Sequence, residues 1–178
     1  GVAAVGGRAH RDVDAALRTL ERKDFLRRAR RSSLPGDTEY AVRHRLVTDV
    51  GYAQLTRQDR LLRHRRAVAW IGGLPVQHGD LLVHHYRQLV ALSAADGRSA
   101  APVADEACQA LVDAGRRAAA AGDHETALRC YRGAVELCPA TATAHRQLSL
   151  LYRQSLRAAA AEGITEGVTD GVADRLCG

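Results

Sequence analysis

The stretch 108–139, CQALVDAGRRAAAAGDHETALRCYRGAVELCP, constrains the fold of this chain more than any other. Leu111, Ala114, Gly115 and Ala118 recur at helical spacing on one face before Gly122-Asp123, and Ala127, Tyr131 and Ala134 do so after it. Gly122-Asp123 breaks the Ala/Arg run, and Pro139 stops the second helix. Two helices joined by so short a turn must run antiparallel as a helical hairpin. Composition supports this reading. Of the 178 residues, 46% are hydrophobic but only 4% aromatic, so burial has to come from Leu, Val and Ala in closely packed helices. The length suffices for one sizeable core or two small ones.

Charge divides the chain. Residues 1–70 carry sixteen basic and eight acidic side chains, and the remainder carry ten and twelve, so the formal net charge of +6 belongs to the front. Lys23 is the single lysine, and the Arg excess reads as a coding bias. There is no run of 18 apolar residues, and the start GVAAVGGRAH lacks a long apolar segment, so neither a membrane span nor secretion is expected and a cytoplasmic location is. Met is absent, including at position 1, which leads us to expect residues upstream of Gly1 in a longer protein. Cys108, Cys130, Cys138 and Cys177 form no close ligand pair. Cys130 and Cys138 bracket the Tyr131 helix at a spacing that suits burial better than zinc, so reduced, structural cysteines are expected.

Along the first half, Asp12 is a candidate N-cap for a helix whose face holds Val13, Ala16, Leu17 and Leu20. FLRRARRSSLPGDTEYAVRH then reads as strand, turn, strand, with Pro35-Gly36-Asp37 at the turn and Tyr40 and Val42 in period two. A helix over about His44 to Leu55 offers Leu46, Val47, Val50, Ala53 and Leu55 for packing. Thr56 and Asp59 form a capping box that opens a helix to about Ile71, with Leu61, Leu62, Val68, Ala69 and Trp70 as its expected buried residues. Gly72-Gly73-Leu74-Pro75 ends it. The next helix, about Asp80 to Ala94, carries Leu81, Leu82, His85, Tyr86, Leu89 and Val90. ADGRSAAP leads into a long helix ending near Ala121, the Tyr131 helix follows, and Ala142 to Ala161 forms another with Leu148, Leu150, Leu151, Tyr152 and Leu156. The Gly-interrupted end, EGITEGVTDGVADRLCG, reads as a short helix or a tail.

The fold class expected is mainly alpha: a partial winged helix with a small beta-hairpin, followed by antiparallel tetratricopeptide-like helical hairpins. Its divisions are 1–55, 56–101 as a connecting helical region, 102–162, and 163–178. Helix then basic hairpin resembles the end of a winged-helix domain, with the wing near Ser32 to Asp37. The 108–139 pairing resembles a tetratricopeptide repeat in which Leu111, Ala114, Gly115, Ala118, Ala127, Tyr131, Ala134 and Pro139 take the packing positions. Leu111 replaces the usual tryptophan. Ala118 is smaller than the aromatic often found there. A second copy from Ala142 fits poorly.

A wider likeness runs over about 11–139. The segments DVDAALRTLERKDFLRRARRSSLPGDTEYAVRHRLVTDVGYAQLTRQDRLLRHRRAVAWI and LLVHHYRQLVAL resemble the region downstream of the ATPase core in large bacterial signal-transduction ATPases, many of which carry an adenylate/guanylate cyclase domain. That resemblance implies a winged helix packed beside a nucleotide-binding domain, helical repeats acting as sensor and scaffold, and a role for His44 near nucleotide phosphate. The chain itself has no GxxxxGK[S/T] loop, since Gly6-Gly7-Arg8 lacks the lysine, and no cyclase catalytic domain, so neither activity carries over.

No constellation carries catalysis, metal or cofactor binding. His84 and His85 are adjacent and diverge on a helix, His145 stands alone, and Asp123, His124 and Glu125 read as the interhelical turn. The expectation is therefore a noncatalytic regulatory and protein-interaction region whose partner is a protein or a neighbouring domain of the same polypeptide. Gln109, Arg116, Arg117, Arg129 and Arg132 are its candidate surface. The alternative is DNA binding by the basic half, through Arg27, Arg28, Arg30 and Arg31 at the hairpin and Arg63 and Arg66, three apart on one helix. The sequence sets no oligomeric state.

Overall fold

The structure, a computed structural model, describes residues 1–161 except 33, 35, 75–77, 96–98 and 139–141, and describes the backbone alone at 142–146. Pro139 and the end from 162 onward lie outside the described residues. The fold is mainly alpha with one small antiparallel hairpin. Its elements are α1 (Val2–Gly6), α2 (His10–Arg22), β1 (Leu26–Arg28), β2 (Tyr40–Val42), α3 (Arg45–Ala53), α4 (Arg57–Gly72), α5 (Gly79–Ala94), α6 (Ala101–Ala120), α7 (His124–Leu137) and α8 (Ala142–Ala161). The chain forms two compact units, Gly1–Arg63 and His64–Gly178.

In the first unit, α2 starts three residues earlier than Asp12 would set it as N-cap: Ala9 is the N-cap, and Asp12 sits in the first turn, where its charge complements the helix dipole. Only Val13 of its apolar face is buried. The strands pair Leu26 with Val42, Arg27 with Ala41 and Arg28 with Tyr40. Further bonds from Ala29 N–H to Glu39 O (2.8 Å) and from Arg43 N–H to Phe25 O (3.0 Å) extend the hairpin, and the bond from Asp37 N–H to Leu34 O (3.2 Å) closes a turn. Helix α3 departs from expectation. It buries no residue, and Leu46 and Val50 are 72% and 50% exposed, because β2 is its main neighbour within the unit. The Thr56 capping box forms: Asp59 N–H donates to Thr56 Oγ1 at 3.1 Å, and that hydroxyl donates to the Asp59 carboxylate at 2.7 Å. Arg60 reaches back from α4, its guanidinium 4.5 Å from the Tyr52 ring centroid and bonded to Ala53 O at 3.1 Å, which fixes the turn between α3 and α4.

The second unit holds the larger core. Helices α6 and α7 pair antiparallel, α5 packs on both, and α8 packs on α7. Leu111, Ala114, Gly115 and Ala118 of α6 and Ala127, Tyr131 and Ala134 of α7 are all buried, as the face reading requires. Two glycines let the helices close up. A Cβ on Gly115 would lie 2.5 Å from a Tyr131 ring carbon, and one on Gly133 would lie in contact with the Val83 methyl groups of α5. Asp123 caps α7, its Oδ1 accepting from Thr126 N–H at 3.0 Å.

Along α4 the expected apolar residues are displaced from the core: Leu62 and Ala69 are exposed and Leu61, Val68 and Trp70 half-buried, while His64, Ala67 and Ile71 are the buried set. The buried stripe of α4 is set by which face meets its neighbours, and Leu61, Leu62, Val68 and Trp70 fall off that stripe. On α5, Val83 takes the buried place expected of Leu81. Among the described residues no helix is long and apolar enough to cross a membrane.

Candidate functional site

The cavity that bears most on function lies in the second unit, where α6, α7 and α8 meet. It is an open cleft of about 240 Å³, lined by Arg116 and Ala119 from α6, His124 and Tyr131 from α7, and Leu151, Gln154 and Ser155 from α8. Tyr131 of this lining belongs to a buried cluster with Ala118, Ala127, Leu128, Tyr152 and Ala159, against which Ala119 and Leu151 pack. The geometry follows from sequence-local causes. Gly115 allows the Tyr131 ring to lie against α6, the Asp123 cap starts α7 so that His124 is its first residue, and the 155, 152 and 148 positions of α8 turn inward together. A hydrogen bond links Tyr131 to the buried Ser155, and burial raises the Tyr131 phenol above its ordinary range. Arg116 supplies a cation at the edge, 3.7 Å from Asp113.

Of the five residues expected at a binding surface, Arg116 alone lines this cavity. Gln109 is exposed and donates to both Asp113 oxygens at 3.1 Å. Arg117 is exposed and Arg132 half-buried. Arg129 ties α7 to itself and to α5, through Glu125 at 2.6 Å and Asp80 at 3.4 Å. His124, read from sequence as part of a turn, is a wall of the cavity. Nothing in the local pattern distinguishes it, because the approach of α8 makes the wall.

A second cluster corrects the reading of His84 and His85 as diverging, since their ring centroids lie 5.1 Å apart and His64 joins them. His64 of α4, 7% exposed, meets His85 of α5 with Nδ1 to Nδ1 at 2.8 Å, and the rings of His64, His84 and His85 lie 5.1 to 6.3 Å apart. One nitrogen must donate and the other accept, so the accepting ring is neutral with a bare Nδ1 while the donating ring carries its proton there. Burial, then His64 and His84, pushes His85 down to about 4, and burial and His84 lower His64 as well. Among the described residues no group of three or more His, Cys, Asp or Glu has the arrangement to hold a metal ion.

The sign of the acid response follows. A histidine whose folded pKa lies below its unfolded value of about 6.5 favours folding fully above that pH, and the contribution is lost as pH falls from about 6.5 to 4. Discounted for the half-exposed His85 ring, the loss is about 1–2 kcal/mol. Urea unfolding followed between pH 7.5 and 4 should show it, and His85→Leu should flatten the slope. An unchanged slope in that variant would assign the acid response elsewhere.

The cysteines correct the expectation of a wholly reduced set. Cys108 and Cys138 are joined in a disulfide, with Cα atoms 5.2 Å apart across 30 residues of sequence, and Cys130 is buried as a free thiol. Antiparallel pairing brings the second turn of α6 beside the end of α7, a proximity that linear spacing does not show. Burial, then Asp80, pushes the Cys130 thiol up to about 11, so it stays protonated and inert.

In the first unit, Arg27, Arg28, Arg30 and Arg31 are exposed around the hairpin. Arg28 is anchored by Tyr40, its guanidinium 5.6 Å from the ring centroid and 3.1 Å from the hydroxyl. Arg63 is exposed on α4 at the end of this unit, and Arg66 is half-buried on the same helix at the start of the next. His44 is the exposed N-cap of α3 and makes no side-chain capping bond.

Comparison with known proteins gives no match: no protein-family model, no curated protein and no solved structure corresponds to this chain. What stands from the chain itself is a mainly alpha fold with one antiparallel hairpin and extensively packed helices.

Proposed function

We propose that this chain is a noncatalytic, cytoplasmic regulatory and protein-interaction region of a larger signal-transduction ATPase or cyclase-associated protein. Its second unit is read as the tetratricopeptide-like binding module. The observation that carries this reading is the cavity between α6, α7 and α8, lined by Ala119, Leu151 and the Tyr131 ring together with the polar side chains Arg116, His124, Gln154 and Ser155. Such a surface suits a side chain of a partner protein better than it suits chemistry. The order of elements, basic hairpin before helical hairpin, supports the family reading.

Placing a photo-crosslinking benzoylphenylalanine at Gln154, on the cavity wall, tests the module. A discrete adduct from the source cell's lysate is expected there, absent when the probe stands at exposed Asp105 and severalfold weaker when Arg116→Glu is added. Equal labelling from both positions would sink the reading. ATP turnover that follows the purified chain would overturn its noncatalytic part.

A second reading, DNA binding through the first unit, is favoured by the exposed Arg27, Arg28, Arg30 and Arg31 beside a paired hairpin. Phosphate contacts of this kind weaken steeply with salt. A labelled duplex should bind at low salt and release at moderate salt, with Arg27→Ala/Arg28→Ala reducing the salt slope by about 2. Absence of binding at low salt removes this reading.

A further inference from the structure

We infer that the Cys108–Cys138 pair is a thiol–disulfide exchange site whose redox state sets the docking of α8. The bond stands at the open end of the α6–α7 hairpin, opposite its Asp123 turn. Cys138 is also the residue at which the chain leaves α7: its N–H bonds Ala134 O at 2.8 Å, its own backbone is extended, and α8 begins at Ala142. The disulfide therefore fixes the point from which the chain runs to α8. Helix α8 in turn contributes Tyr152 and Ala159 to the buried cluster, and Leu151, Gln154 and Ser155 to the cavity wall.

The hairpin does not depend on that bond in the same way. Leu111, Ala114, Ala118, Ala127, Tyr131 and Ala134 are buried between or beside its helices, and α5 adds Val83 against Gly133. Reduction thus removes the tether at the exit of α7 while leaving the packing of α6 on α7 in place. The response is confined to the helix beyond Cys138.

The chemistry is directed by exposure. Cys138 is 8% exposed and Cys108 half-buried, so an external thiolate reaches the Cys108 sulfur more readily. A dithiol reductant attacks Cys108 Sγ, the Sγ–Sγ bond breaks, and Cys138 leaves as a thiolate that takes up a proton. The second thiol of the reductant then attacks its own sulfur in the mixed disulfide and releases Cys108. The protein gains two electrons and two protons, and the dithiol becomes its cyclic, intramolecular disulfide. Cys130 does not compete, because it is buried and its thiol is held protonated among Asp80, Asp123, Arg117 and Arg129.

The experiment uses the full chain, equilibrated in graded mixtures of reduced and oxidised dithiothreitol. Peptide mapping reads the Cys108–Cys138 linkage, and hydrogen exchange reads residues 148–161. Reduction is expected to speed exchange in α8 about tenfold or more, while 111–118 and 127–134 keep their protection. Cys130→Ala should change neither readout, and Cys108→Ser/Cys138→Ser should give the fast-exchanging α8 even under oxidising conditions. If the double variant fails to fold, reduction of the unaltered chain supplies the same comparison. Failure of the linkage to form in oxidised dithiothreitol overturns the inference. So does equal exchange of α8 in both states, or loss of protection across the whole hairpin at once.

Discussion

Replacing Tyr131 by Ala is expected to cost the second unit about 3–5 kcal/mol of stability. The side chain is 1% exposed and is the largest of those that are fully buried. It touches α6 at Gly115, belongs to the cluster shared with Tyr152 and Ala159 of α8, and carries a hydrogen bond to Ser155. Removal therefore opens a void against three helices at once, and helices held by Ala and Gly contacts have no spare side-chain volume with which to fill it. Urea titration of the full chain should show the midpoint of the second unit's transition falling with its slope preserved. Tyr131→Phe separates the ring from the hydroxyl: it keeps the volume and loses one hydrogen bond, at about 0.5–1.5 kcal/mol. A loss below about 1 kcal/mol in Tyr131→Ala would mean that the ring does not hold the three helices together.

Gly115→Ala is expected to destabilise as well, against the ordinary preference for Ala in a helix. That preference is worth about 1 kcal/mol in favour of the substitution. It is opposed by a Cβ 2.5 Å from Tyr131 Cε1 and 2.9 Å from Cδ1 and Cζ, in a ring that is buried and cannot swing away. Overpacking costs about 1–3 kcal/mol, and an approach this close to a buried ring puts it in the upper part of that range, about 2–3, so the net loss is about 1–2 kcal/mol. The partner identifies the cause. In a Tyr131→Ala background the clash is absent, and Gly115→Ala should become neutral or stabilising by up to about 1 kcal/mol. The two changes measured singly and together should be strongly non-additive. Additive losses would show that Gly115 is required for a reason other than the ring.

The pairing of Gly115 with Tyr131 also shows how far sequence reasoning reached. Leu111, the small residues at 114, 115 and 118, and the aromatic at 131 lie within a local period that identifies a face, and the turn at Gly122-Asp123 makes the two faces meet. The Thr56 capping box was legible for the same reason, since a cap acts within three residues of itself. The β-hairpin was legible through its turn and its alternation. Helix α4 was not. Leu61, Leu62 and Trp70 are apolar, but burial on a helix depends on which direction its neighbours come from, and they come from the side of His64, Ala67 and Ile71. The exposed face of α3 has the same origin, as an apolar stripe is buried only where another element lies over it.

The cavity and both paired side-chain contacts belong to that second kind. Arg116 was named from its place on a hairpin surface, but His124 and Ser155 become its neighbours only through α8. His64 and His85 are 21 residues apart, and Cys108 and Cys138 are 30 apart, with no spacing rule that couples either pair. Periodicity, caps and turns, which act over one or two helical turns, were set by the sequence alone: the helices, the hairpin and the α6–α7 faces. Which faces are covered, which histidines share a proton and which cysteines bond were decided only by tertiary structure, because those contacts depend on the direction in which helices cross, and that direction is set by packing between elements distant in the chain.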